Sequence, residues 1–209
     1  MIRVSDASVQ AMEFTTFRKK ENVTDDELLM AVLGFEQVLS KQNGIVFHCL
    51  VRNYSNQYAN IVLASSMDVV KSLERDLGGH PQVQEFFELI DMTTVNIEYH
   101  EIHKQEFCVP VHFSCIEKGL FSLKDPQDFK RLISISGSIE KGYLDDFENT
   151  QGHFIGVTGE NRYSEITFGQ SLAQTKKICT GYFEKPICLE LLNMADEKTM
   201  ELDFWYVIA

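Results

Sequence analysis

Apolar residues recur along this chain in two rhythms, and the order of the rhythms is written twice. Over 11–18 they alternate with polar residues, the period of a half-buried strand. Thr24-Asp-Asp-Glu27 then reads as a capping box, with acidic side chains against a helix N-terminus. Leu28, Leu29, Val32, Phe35, Val38 and Leu39 follow at helical spacing, and Gly44 closes that helix. Residues 45–52 and 58–65 predict a hairpin about Asn53-Tyr-Ser-Asn56. Ser66 predicts the cap of a second helix, interrupted at Gly78-Gly79-His80-Pro81 before helical spacing resumes over 83–90. The strand 95–102 closes the half.

The second half repeats this order less regularly. It predicts a strand over 109–116, then a helix over 127–147 with Pro126 at its first position and a break near Gly137 or Gly142. A hairpin over 154–158 and 163–168 turns through Gly159-Glu-Asn161. Ser171 with Gln174 predicts another capping box, Pro186 divides the last helical stretch, and 200–208 is the last strand. Ser66 and Ser171 stand 105 positions apart, each with a proline fifteen residues on, Pro81 and Pro186. The same offset aligns the closing strands, Asn96 with Glu201, Glu98 with Asp203 and Tyr99 with Phe204. A period of that length means a duplicated domain and not a solenoid. The expectation is an α+β chain of two ferredoxin-like βαββαβ halves, 1–104 and 105–209, joined by the short polar connection His103-Lys-Gln-Glu106.

Neighbouring residues of a strand face opposite sides, so parity sorts the side chains. One face of the first half collects Met12, Phe14, Ile45, Phe47, Val51, Ile61, Leu63, Val95, Ile97 and Tyr99, and its greasiness predicts packing against the helices. The other mixes Glu13, Thr15, His48, Leu50, Arg52, Asn60, Val62, Ala64, Asn96, Glu98 and His100. In the second half the matching mixed face holds His112, Ser114, Ile116, Phe154, Thr158, Glu165, Thr167, Glu201, Asp203, Trp205 and Val207. Two sheets with such faces predict closure into one eight-stranded enclosure, wide enough for side chains or one small ligand.

Candidate chemistry follows from that face. His48 and His100, with Asn60, are the candidate catalytic residues: a histidine tuned by a carboxylate could take a proton from a phenol or enol. Asn60 could donate a hydrogen bond to a substrate carbonyl. Asn96, Glu98, His112 and Asp203 are candidate ligand contacts, Trp205 could stack on a flat ligand, and Arg52 with Tyr58 could orient an anionic or phenolic one. The competing reading is a filled interior whose buried polar groups satisfy one another. No H-x-H or H-E-x-x-H spacing points to a metal.

The element order, together with Asp91 and the His80-Pro81-x-Val83-x-x-Phe86 segment before a closing strand, resembles the dimeric α/β barrel superfamily, in the antibiotic-biosynthesis-monooxygenase-like flavour. This chain looks like a tandem form, both halves in one polypeptide. The resemblance implies one of three functions: a protein binding a small hydrophobic or aromatic molecule, a cofactor-independent monooxygenase on phenolic or quinol-type substrates, or a haem protein using His80. The asparagine and tryptophan of haem-degrading members have no match here: the first strand carries Glu13 and Thr15, the third Leu63, and the only tryptophan, Trp205, is in the other half. No motif calls for a cofactor.

Composition narrows the partners. A formal charge of −12 disfavours the phosphate backbone of nucleic acid and anionic membrane surfaces. The five cysteines are odd in number, lack C-x-x-C spacing and sit mostly in apolar patterns, which suits reduced thiols. With no apolar leader and no stretch of about 18 apolar residues, the expectation is a cytoplasmic protein, a monomeric pseudo-dimer or a homodimer.

Overall fold

Strand, helix, strand, strand, helix, strand is the order found twice in the computed structural model, which describes residues 1–209. The elements are β1 (Ile2–Arg3), β2 (Ala11–Lys19), α1 (Asp25–Leu39), β3 (Ile45–Arg52), β4 (Tyr58–Ala64), α2 (Met67–Leu77), α3 (Pro81–Leu89) and β5 (Ile90–Ile102). They continue with β6 (Cys115–Phe121), α4 (Phe129–Gly142), β7 (Thr150–Gly159), β8 (Arg162–Gly169), α5 (Leu172–Thr180), α6 (Pro186–Met194) and β9 (Glu201–Val207). Two units result. Unit 1 comprises Met1–Glu101, Glu106–Val109 and Val207–Ala209; unit 2 comprises Ile102–Gln105 and Pro110–Tyr206.

Unit 1 holds the antiparallel order β3-β4-β2-β5, with β1 against β3. Its helices begin where the chemistry of the chain tells them to. Thr24 accepts from the Glu27 N–H at 3.2 Å while the Glu27 carboxylate accepts from the Thr24 N–H at 2.8 Å, a closed capping box. Ser66 caps α2 through the Val69 N–H. Gly78 and Gly79 end α2, and His80 caps α3 with Pro81 at its first position, where no N–H is missed. Between helices and sheet, Phe86 stacks on Phe35 and meets Phe17 edge-on, each at a centroid spacing of 5.5 Å, with Leu28, Val32, Leu50 and Tyr58 packed in the same region.

Unit 2 holds the order β7-β8-β6-β9. Leu132, Ile135, Ile139, Tyr143, Ile155, Tyr163 and Leu191 form its helix–sheet core. Three expectations need correction here. The first strand is Cys115–Phe121 and not 109–116, because Pro110 brings no N–H to a ladder and Val111 is exposed. The expected helix over 127–147 splits into a 3-10 turn, α4 and a second 3-10 turn, ending at Gly142 where Tyr143 leaves helical geometry. Ser171 caps α5 by position only and accepts no N–H through its side chain.

Candidate functional site

Register decides which side chains share a face, and it redistributes the expected site. In β2–β5, Met12 pairs with His100, Phe14 with Glu98 and Thr16 with Asn96, while Glu13 pairs with Tyr99 and Thr15 with Ile97. Directly paired residues of an antiparallel ladder point the same way. His100, Glu98 and Asn96 therefore share the Met12–Phe14 face. His48 and Asn60 lie on the other face, beneath the helices, as the contact of His48 with Glu36 of α1 shows. His48, Asn60 and His100 do not converge on one chamber. The two faces of β2, β3 and β4 are both buried, so apolar content could not say which one meets the helices.

What does converge is a pocket of about 370 Å³ between the sheet of unit 1 and α2 and α3. Phe17, Phe35, Leu77, Val83, Phe86 and Ile97 supply apolar wall. Glu13, Thr15 and Asn60 bring polar atoms to it, with Tyr99 and Glu74 beside them. Burial pushes the Glu13 carboxyl up, the 2.7 Å hydrogen bond donated by the Thr15 hydroxyl holds it down in part, and Glu74 adds to the rise.

Asn60 is held from behind. Its Oδ1 lies 3.2 Å from His48 Nε2, and His48 Nδ1 lies 2.9 Å from Glu36 Oε1. One end of the Asn60 amide is held by His48, and the residue lines the pocket with the other. Burial raises the Glu36 carboxyl, and the hydrogen bonds and charges of His48 and of the Met1 amino group, 3.0 Å away, together more than reverse it, so its net shift is downward. A buried carboxylate–imidazole pair thus orients the amide, an arrangement that adjacent strand and helix positions alone did not advertise.

Unit 2 has its own, smaller pocket of about 140 Å³ at the corresponding place, reached by Glu117, Glu165, Cys179 and Tyr182. His153 Nε2 lies 2.9 Å from Glu165 Oε1, and the Tyr182 hydroxyl donates to the same oxygen at 3.0 Å. Burial, reinforced by Glu165, pushes Glu117 up to about 8 against the opposing hydrogen bond with Cys179. Burial also drives the Cys179 thiol upward, so it is no thiolate nucleophile. Sequence reasoning missed His153, Glu117 and Tyr182; the signal available was the 105-residue offset from His48 to His153.

The remaining candidates are scattered. Arg52 lines a separate polar cleft with Arg18, Lys19 and Lys20, where its Nη1 donates to Asp25 at 2.9 Å and its guanidinium lies over the Tyr58 ring. His112 is exposed in the segment before β6 and lies in no strand. Asp203 and Trp205 pair with Lys118 and Ile116, on the face of unit 2's sheet away from its helices, whereas Glu165 faces them. His80 is exposed, accepts the Gln82 N–H at 3.3 Å, and does not line the pocket, so it offers a haem iron there no axial ligand. No helix is long and apolar enough to cross a membrane.

No protein-family model matches the chain, and no curated protein matches it. Solved structures do. A protein of Fusobacterium nucleatum proposed to be a monooxygenase superposes with a TM-score of 0.67 at 11% identity, covering 97% of this chain and 94% of that one. A haem-binding protein of Thermus thermophilus gives 0.60 at 11% identity over 100% and 96%. An uncharacterized ferredoxin-fold protein of Listeria monocytogenes, related to antibiotic biosynthesis monooxygenases, gives 0.54 at 10% identity over 96% and 96%. At such identities the likeness is one of fold.

Proposed function

From the fold of the dimeric α/β barrel superfamily, with both βαββαβ units in a single chain, we propose that unit 1 binds one small, largely apolar ring compound in its sheet–helix pocket. The observation that carries this reading is the pocket itself, about 370 Å³ of mostly apolar wall with Glu13, Thr15 and Asn60 converging on it. That is the size and chemistry of a small-molecule site. The ligand's apolar body packs on Phe17, Phe35 and Phe86, and its oxygen meets the Asn60 amide and the Glu13 carboxyl. Haem has no part in the proposal.

The same groups support cofactor-independent oxygenation as a second reading, favoured by the raised Glu13 carboxyl. An ionised Glu13 is a stronger base than an ordinary carboxylate and could take the proton of a bound phenol, while Asn60 hydrogen-bonds the oxygen left behind. Titration calorimetry with 1-naphthol tests the binding claim. Saturable binding at one site per chain is expected, lost on filling the pocket with Leu73→Trp and weakened by Asn60→Ala. Binding that survives Leu73→Trp unchanged refutes it. Oxygen uptake with a hydroquinone panel, compared with Glu13→Gln, separates catalysis from binding.

A further inference from the structure

The two pockets are built from matching positions. The rung Thr15–Asn60 of unit 1 answers to Gly119–Glu165 of unit 2, and Glu13 answers to Glu117. The rung His48–Val62 answers to His153–Thr167. On the helix side the 105-residue offset sets Glu74 against Cys179, Leu77 against Tyr182 and Gly78 against Phe183, and all six of these line their respective pockets. Yet one pocket measures about 370 Å³ and the other about 140 Å³.

A difference in backbone course between them centres on Tyr182. α2 runs as an α-helix to Leu77, but α5 ends at Thr180 and tightens into a 3-10 turn over Gly181–Glu184 that carries Tyr182 inward. Gly181 leaves room for Tyr143 beside the turn: a Cβ there would stand 2.0 Å from the Tyr143 hydroxyl, which donates to the Ile178 carbonyl at 2.7 Å. The Tyr143 ring meets the Tyr182 ring edge-on at 5.7 Å, and the buried Tyr182 hydroxyl donates to Glu165 at the position that Asn60 holds in unit 1. A tyrosine of the chain thus sits, ring in apolar wall and oxygen on a polar group, as a hydroxylated aromatic ligand would.

We propose that the pocket of unit 2 is a closed copy of the unit 1 site, plugged from within by Tyr182, and that removing the plug opens a second site for a hydroxylated aromatic. Phe183, exposed at the mouth where unit 1 has Gly78, forms the rim of the closed site. The proposal rests on the unit 1 reading only for the choice of probe.

The test is the stoichiometry of 1-naphthol binding by calorimetry on the full chain. Tyr182→Leu, which installs the residue standing at the matching place of unit 1, is expected to add one binding equivalent relative to the unsubstituted chain. Tyr182→Phe, which keeps the ring, is expected to add none. If the leucine variant does not fold, Tyr182→Met carries the same measurement. A folded leucine or methionine variant with unchanged stoichiometry overturns the proposal. So does failure of both to fold, since a plug over a preformed pocket is dispensable to folding. Absence of naphthol binding by the unsubstituted chain removes the unit 1 reading alone; a gained equivalent in Tyr182→Leu still sustains the plug.

Discussion

Replacing Glu117 by glutamine should flatten the dependence of stability on pH. Glu117 faces the helices from β6, where burial, and then the charge of Glu165, hold its carboxyl at about 8 instead of the usual 4.5. In the unfolded chain it ionises near the lower value, so above that pH the folded state binds the extra proton. Stability contributed by the neutral carboxyl is therefore complete below about 4.5 and is lost as pH climbs toward 8. Each pH unit within that window removes about 1.4 kcal/mol, so the interval from about pH 5 to pH 8 removes roughly 4 kcal/mol at most. Glutamine is neutral throughout and can still accept the Cys179 hydrogen bond. Urea denaturation of both proteins at several pH values measures the difference directly, because every other titrating group is common to the pair. The expected outcome is a gain of Glu117→Gln over the parent that widens as pH rises. Parallel curves from about pH 5 to pH 8 would show that the carboxyl is ordinary.

Two further outcomes follow from the polar contacts beneath the helices. His48→Ala leaves the buried Glu36 carboxylate with only the Met1 amino group, 3.0 Å away, as its ionic partner, and should cost about 1–3 kcal/mol in a urea titration; adding Glu36→Gln should restore part of that loss, and independence of the two substitutions would refute the pairing. Gly181→Ala drives a methyl toward the Tyr143 hydroxyl, so it should lower stability by about 1–3 kcal/mol in thermal melts, whereas Gly137→Ala, whose Cβ meets nothing within 4 Å, should not.

Much of the fold was legible because local chemistry and global order agreed. The Thr24–Glu27 box, the Gly78–Pro81 interruption and the Asn53–Asn56 turn each formed where residue type demanded, with Asn56 at φ +57° in the turn. The first strand of unit 2 was not legible, since Glu117, Lys118 and Gly119 break its apolar alternation while Val109 and Val111 imitate one. The site was legible in its residue types and not in its assembly. Parity sorts side chains within a strand, but only register ties the faces of different strands together, and Phe14 pairing with Glu98 rather than sharing a face with Tyr99 is invisible in a one-dimensional pattern. His48 and Asn60 share one face, as parity expects; His100 lies on the opposite one, because parity does not carry phase from strand to strand.

One irregularity recurs in both units. The ladder of β3 slips between Ile45 and Phe47, and that of β7 slips between Thr150 and Gly152, the same place in each repeat. Beyond the slip, phase is counted back from a tight hairpin; before it, phase is counted forward from a helix. The spare residue, Val46 or Gln151, reconciles two counts that differ by one. Chain length at that joint is consequently adjustable: deleting Val46 would leave Ile45 opposite Ala64 and the imidazole of His48 under its helix, with an unbroken ladder between them.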